Sequence, residues 1–209
     1  MEALIIEPLV DLEELSSFCC GIPKMDKFIH NGFAESVRNA YCKPYVVRNA
    51  ANEVVAMFAL SFDALRLDSD DLEDLQNGWT DTSIPQPTEE YATTYWSKVQ
   101  YPALEIAYLA VSEKYRDQHI GKYIIEQIAS LARTQDLAGC QFLTVGAYVT
   151  KEYSAVGFYR KCHFAQAEPF AMHDTLRMYY NLLMDEDSYC IDEIDTIYAN
   201  NSGTNSSTS

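Results

Sequence analysis

The sequence holds no apolar run that approaches the ~20 residues a helix needs to cross a bilayer. It predicts no membrane span. The opening "MEALIIEPLV" is acidic with a short apolar run, which does not read as a signal peptide, so a cytoplasmic protein is the expectation. No two of the six cysteines (19, 20, 42, 140, 162 and 190) form a C-x-x-C pair. The four histidines (30, 119, 163 and 173) show no metal-ligand spacing. The cysteines therefore read as reduced thiols that fill the core, and no metal site is expected. Basic residues are scarce: 15 Lys and Arg face 31 Asp and Glu, for a net charge of -16. That balance argues against broad nucleic-acid affinity, which needs clustered cations to displace counterions. It suits a cationic acceptor such as a free amine, or simply a solvated surface.

What the chain does hold is apolar and aromatic substance, 48% hydrophobic with 15 Tyr and 9 Phe, enough for one domain with a full core. The acid is unevenly spread. Residues 61–90 carry nine acids and one base, and residues 181–209 carry six acids and no base. Residues 91–180 are near balance, with eight acids and nine bases. Residues 1–183 read as one domain. Residues 184–209, acidic and then Ser/Asn/Thr-rich, read as a flexible tail.

Alternating and periodic patterns place the elements. Strands are expected at 4–9, 43–49, 53–62, 101–111, 140–148 and 175–183, with a hairpin at Ala50–Asn52. Helical pieces are expected at 11–18, 23–40, 68–78, near 119–134 and at 151–164. Residues 80–90 read as a loop. No internal repeat occurs, and helices alternate with strands, so the class is α/β with a mixed sheet.

The stretch "LAVSEKYRDQHIGKYIIEQIASLA" (109–132) carries the chemistry. A strand runs through a polar turn into an amphipathic helix with Ile120, Ile124, Ile128 and Leu131 on one face. The first four N–H groups of a helix lack intrahelical partners, and the macrodipole adds partial positive charge there. Such a mouth suits a phosphate. Gly121 permits close backbone approach, and Arg116 and Lys122 can add charge.

"VSEKYRDQHIGK" resembles the acyl-CoA motif of the GNAT N-acetyltransferase superfamily: Arg116 and Gly121 match, and His119 stands where the family has its first glycine. "AVGFYRKCHF" is similar to the second signature of that family. Ala155, Phe158, Tyr159 and Phe164 match there, and His163 replaces a glycine. The 38-residue interval from Gly121 to Tyr159 fits the helix–strand–helix of the family, and the resemblance spans roughly residues 3–183. Upstream, Cys20-Gly21, Pro23, Asp26 and the following strand pair resemble the subgroup that includes acetyltransferase toxins, which acetylate the amino group of aminoacyl-tRNA.

The resemblance implies a mixed, mostly antiparallel sheet of about six or seven strands with helices on both faces, and acetyl-CoA as co-substrate. Leu109, Ala110 and Val111 would pair with the pantetheine arm. The amides of Asp117, Gln118, His119, Ile120, Gly121 and Lys122 would hold the pyrophosphate, with Arg116 and Ala155 alongside. If His119 must take positive φ in the turn, the cost is about 1 kcal/mol or more. Tyr159 would protonate the leaving thiolate, a role worth about 10²–10⁴-fold in rate. Glu105 is the candidate base. It is the only acid between Ala92 and Glu113 and lies four residues before Leu109, so regular alternation puts the two on one side of the strand. Some family members have no dedicated base and leave that proton to solvent.

Three functions remain open on sequence. The first is an N-acetyltransferase of a small-molecule or peptide amine, a homodimer being compatible. The second is a toxin-like acetyltransferase of aminoacyl-tRNA, which the net charge disfavours. The third is a non-catalytic acyl-CoA-binding or interaction module, motivated by the two histidines in glycine positions. The acidic 61–90 segment follows the hairpin and is expected to cover the acceptor site.

Overall fold

The structure is a computed structural model that describes residues 3–67, 89–98, 100–172 and 174–183. Seven strands form one sheet in the order β1-β2-β3-β4-β5-β7-β6. They are β1 (Ile5–Pro8), β2 (Lys43–Arg48), β3 (Val54–Leu65), β4 (Tyr101–Val111), β5 (Phe142–Tyr148), β6 (Ala165–Met172) and β7 (Thr175–Asn181). Every pairing is antiparallel except β4 with β5. The helices are α1 (Pro23–Asn31), α2 (Phe33–Arg38), α3 (Glu89–Trp96), α4 (Ile120–Thr134) and α5 (Val156–Lys161), with 3-10 turns at Leu12–Leu15 and Glu113–Tyr115.

Helices cover both faces. On one, Ile120, Ile124, Ile125, Ile128 and Ala132 of α4, with Tyr159 of α5, pack on Val47, Phe58, Leu60, Ile106, Leu143, Val145 and Met178. On the other, Ile29 of α1, Phe33 of α2 and Leu15 pack on Val46, Met57, Ala59 and Ala110. Because both sides are occupied, β3 is buried without interruption from Val55 to Leu60. Cys20, Cys42 and Cys162 fill these two clusters.

Most elements fall where the residue pattern places them, and the differences have local causes. The 11–18 helix is a single 3-10 turn, and the 23–40 helix is broken at Gly32. The edge strand β6 was not expected from sequence. Its "AQAEPFAM" is poor in β-branched residues and contains Pro169, which only an edge tolerates well. Glu89 and Glu90 open α3 instead of closing a loop. The helix expected at 68–78 and most of the 80–90 loop lie outside the described residues, as does the 184–209 tail. No helix among the described residues is long and apolar enough to cross a membrane.

Two irregularities of β4 shape the functional region. Leu60 of β3 faces Ile106, but Ala59 faces Tyr108, so Ala107 is an extra residue in a β-bulge. In addition, β4 pairs with β5 only over Ala103–Ile106, among the described residues. Beyond Val145, β5 continues along β7 while β4 continues along β3 to Val111. The sheet is split there.

Candidate active site

The split is flanked by the residues that the sequence singled out. Leu109 and Val111 of β4 turn their side chains into the α4 side of the sheet, where they meet the cluster holding Ile120, Tyr159, Ala155 and Phe158. Ala110 points to the opposite face. The strand expected to bear a pantetheine arm, the helix mouth expected to bear its phosphates and the tyrosine expected to serve its sulfur are therefore brought together.

The turn before α4 has an unusual backbone. Asp117 and His119 take φ of 61° and 59°, and His119 is the N-cap of the helix. Left-handed residues in such a turn gather neighbouring N–H groups into an anion-binding concavity, at the positive end of a 15-residue helix. His163, the other histidine in a family glycine position, also has positive φ, at 64°. Both histidines thus keep the conformation that glycine would supply.

Gly121 has a second reason to be glycine. A Cβ there would meet the Phe158 ring at 3.0 Å, so its absence lets α4 and α5 approach beside Val111. The charged neighbours of the turn also have partners within the chain. Arg116 donates to the carbonyl of Cys20. Lys122 lies 3.8 Å from Glu126 one helical turn on.

Tyr159 is buried, 5% exposed, with ring centroids 5.0 Å from Phe158 and 5.3 Å from Phe164. Burial, with Tyr153 and Cys162 adding, pushes its phenol well above the ordinary value.

Glu105 does not share a face with Leu109. The bulge at Ala107 inserts one residue between them and reverses the alternation, so the same-side expectation is overturned. Glu105 looks to the face that carries α1 and α2. There Ser61 Oγ donates to its Oε2 at 2.9 Å and Arg177 Nη1 to its Oε1 at 3.2 Å. Arg177 also holds Asp63, to which Thr144 donates. Burial pushes the Asp63 carboxyl up, but Thr144, the Arg177 charge and the Ala64 amide outweigh it, and the net direction is down. Sequence reasoning missed Arg177 and Asp63; an arginine inside the apolar run "TLRMYYNLL" was the available signal.

Above the split the chain from Cys19 to Asp26 forms a tight loop. Asp26 accepts from the amides of Cys20 and Gly21 at 2.7 and 3.1 Å, and from Cys19 Sγ at 3.3 Å. Burial alone would raise the Asp26 carboxyl; these donors hold it below its ordinary value. Gly21 needs its φ of 73° and its missing side chain, since a Cβ would meet the Glu113 carboxyl carbon at 2.9 Å. Across the split Lys24 pairs with Asp174 and sits 5.5 Å from the Tyr148 ring centroid. A separate cleft of about 660 Å³, lined by Glu14, Cys19, Glu53 and Tyr115 among others, lies on the far side of residues 112–115 and contains none of the candidate catalytic residues.

Comparison with known proteins agrees with this geometry. Residues 9–164 match the family described as Acetyltransferase (GNAT) family. The chain belongs to that family, and it is an N-acetyltransferase with acetyl-CoA as co-substrate. None of the curated proteins compared matches the chain. Among solved structures, AtaT complexed with acetyl-methionyl-tRNAfMet is 15% identical over 94% of this chain and 99% of that one, with a TM-score of 0.59. A tyrosine-to-phenylalanine mutant of the AtaT toxin, bound to the C-terminus of the antitoxin AtaR and acetyl-CoA, is 16% identical over 86% and 93%, with a TM-score of 0.52. A tyrosine-to-phenylalanine mutant of KacT is 14% identical over 87% and 96%, with a TM-score of 0.57. At these identities the likeness is one of fold.

Proposed function

We propose that this enzyme moves the acetyl group of acetyl-CoA to a primary amine by direct attack, with Tyr159 as acid and Glu105 as base. The observation that carries the reading is the split between β4 and β5 with these two groups on opposite faces of the sheet. A thioester threaded through the split would present its sulfur to the α5 side and its carbonyl to an amine arriving from the α1 side. The neutral amine nitrogen bonds to the carbonyl carbon, and a main-chain N–H of β4 polarises the oxygen. The carbon–sulfur bond breaks, and the sulfur takes the Tyr159 proton. Glu105 takes the surplus amine proton directly or through water, and solvent restores both groups. Asp117, Gln118, His119, Ile120, Gly121 and Lys122 hold the pyrophosphate through their amides, beside Ala155.

Aminoacyl-tRNA as acceptor is the second reading. It is supported by the fold likeness to AtaT and by the cation and aromatics beside the split, Lys24 with Tyr148 and Tyr153. The net charge of -16 opposes it. The third reading, a non-catalytic binding module, is disfavoured by the acetyltransferase family match, and both histidines take a positive φ of the kind glycine accommodates.

The test offers acetyl-CoA with lysinamide, which has both an α- and an ε-amine, with a peptide bearing a free N-terminus, and with methionyl-tRNA. Transfer to lysinamide or the peptide supports the first reading. Transfer to the tRNA alone selects the second. CoA release with none of them contradicts both.

A further inference from the structure

We infer that Arg177 is a positioning residue for Glu105, and that Asp63 and Thr144 serve by holding Arg177. The inference rests on the reading of Glu105 as the base. Four strands contribute to the arrangement: Ser61 and Asp63 from β3, Glu105 from β4, Thr144 from β5 and Arg177 from β7. Glu105 is directly across from Ser61 on one side and Thr144 on the other. Arg177 is opposite Gly146, beyond Thr144 on β5.

The bond pattern gives each group one task. The two Nη nitrogens of Arg177 are shared between two carboxylates, Nη1 to Glu105 at 3.2 Å and Nη2 to Asp63. Asp63 is fixed independently by Thr144 Oγ1. The Glu105 carboxylate is thereby held at both oxygens, Oε2 by Ser61 and Oε1 by Arg177. A glutamate side chain has three rotatable torsions, and a base is effective only when its oxygen is held within hydrogen-bond reach of the proton it takes. Side-chain exposures of 20% for Arg177, 21% for Asp63 and 32% for Glu105 leave Glu105 the most open of the three. Cys42, a buried thiol, also lies within the field of the Glu105 charge.

Asp63 also explains why one cation is shared by two acids. With Glu105 as its sole partner, Arg177 could swing with the base. Anchored at Asp63, the guanidinium stays still while the Glu105 carboxylate changes charge in each turnover.

The test is a double-mutant cycle. Glu105→Gln, Arg177→Met and the pair are compared for kcat and KM with lysinamide, for slow acetyl-CoA cleavage by water when the amine is omitted, for acetyl-CoA Kd by calorimetry and for thermal unfolding. Glu105→Gln is expected to lower kcat about 100-fold. Arg177→Met is expected to lower kcat by a comparable factor with acetyl-CoA Kd unchanged, and the double variant to be no slower than Glu105→Gln. Arg177→Lys restores most of kcat, and Asp63→Asn gives a smaller loss of the same kind, which keeps the question answerable if Arg177→Met does not fold. Losses that multiply in the double variant, or an Arg177 effect confined to unfolding or to acetyl-CoA Kd, overturn the positioning role. Full activity in Glu105→Gln overturns the base itself, whereas an absence of CoA release with both lysinamide and water overturns the small-amine reading on which the inference rests.

Discussion

Arg116 donates to the carbonyl oxygen of Cys20, 96 positions earlier in the chain, and so ties the turn that precedes α4 to the loop above the sheet split. Its guanidinium is committed to that contact. Arg116→Ala is accordingly expected to lower thermal stability while changing acetyl-CoA Kd by less than about threefold, well under the tenfold that 1.4 kcal/mol represents. A large loss of acetyl-CoA affinity with unchanged stability would instead mark Arg116 as a phosphate ligand.

Asp26 serves the same loop from the other side by accepting from Cys19, Cys20 and Gly21. Hydrogen bonds to a charged group contribute about 1.5–3 kcal/mol, so Asp26→Ala should cost roughly that much in urea unfolding. Asp26→Asn, which keeps one acceptor, should recover part of it.

His119 and His163 hold left-handed backbone with φ of 59° and 64°. Relief of about 1–2 kcal/mol of local strain is opposed by about 0.5–1 kcal/mol of extra chain entropy for glycine. His119→Gly should therefore be equally or slightly more stable and bind acetyl-CoA at least as well as the wild type, whereas His163→Gly should gain less because the imidazole's own interactions are lost with it. A β-branched replacement, His163→Val, should be clearly destabilising. Melting curves and calorimetry on the three variants check both points.

At Gly121 the limiting contact is with the Phe158 ring at 3.0 Å. Gly121→Ala should lose about 1–3 kcal/mol to overpacking and recover about 0.5–1 kcal/mol from the better helix propensity of alanine, for a net loss of about 1 kcal/mol. A smaller side chain, Phe158→Leu, should relieve the cost in the double variant. If Phe158→Leu gives no relief, the space around Gly121 is not what selects glycine.

Much of this could be read from the sequence, and the exceptions share a cause. The strand at 101–111 and the helix beyond it announce themselves through local periodicity, and Tyr159 through a motif that resembles the family signature. A bulge does not, because one extra residue at Ala107 leaves "YPALEIAYLAV" looking regular while reversing the face of everything after it. Glu105 was found but assigned the wrong neighbours for that reason. Arg177 and Asp63 were missed because their relation exists only in the register of four strands. The positive φ of His119 was an open alternative on sequence, since histidine is compatible with either backbone.

Glu53 gives a pH signature separate from catalysis. The Tyr115 hydroxyl, then Lys114 and Asn49, hold its carboxyl down from 4.5 to about 2. A lowered folded-state value means stability that is present in full above 4.5 and is lost as pH falls through about 2. The Tm gap between wild type and Glu53→Gln should thus be full at neutral pH and shrink on acidification. The group is exposed, so added salt should narrow the gap as well. A gap that widens in acid would contradict this origin.

The central claim is that a buried phenol on one face of the split serves a thioester threaded through it. Tyr159→Phe tests it most directly, since the ring and its packing against Phe158 and Phe164 are kept and one hydroxyl is removed. With an acceptor in hand, kcat and acetyl-CoA Kd are measured on both proteins. The account predicts a fall in kcat of about 10²–10⁴-fold, with Kd and Tm essentially unchanged. A variant that turns over at the wild-type rate would contradict it and leave Tyr159 as a core aromatic.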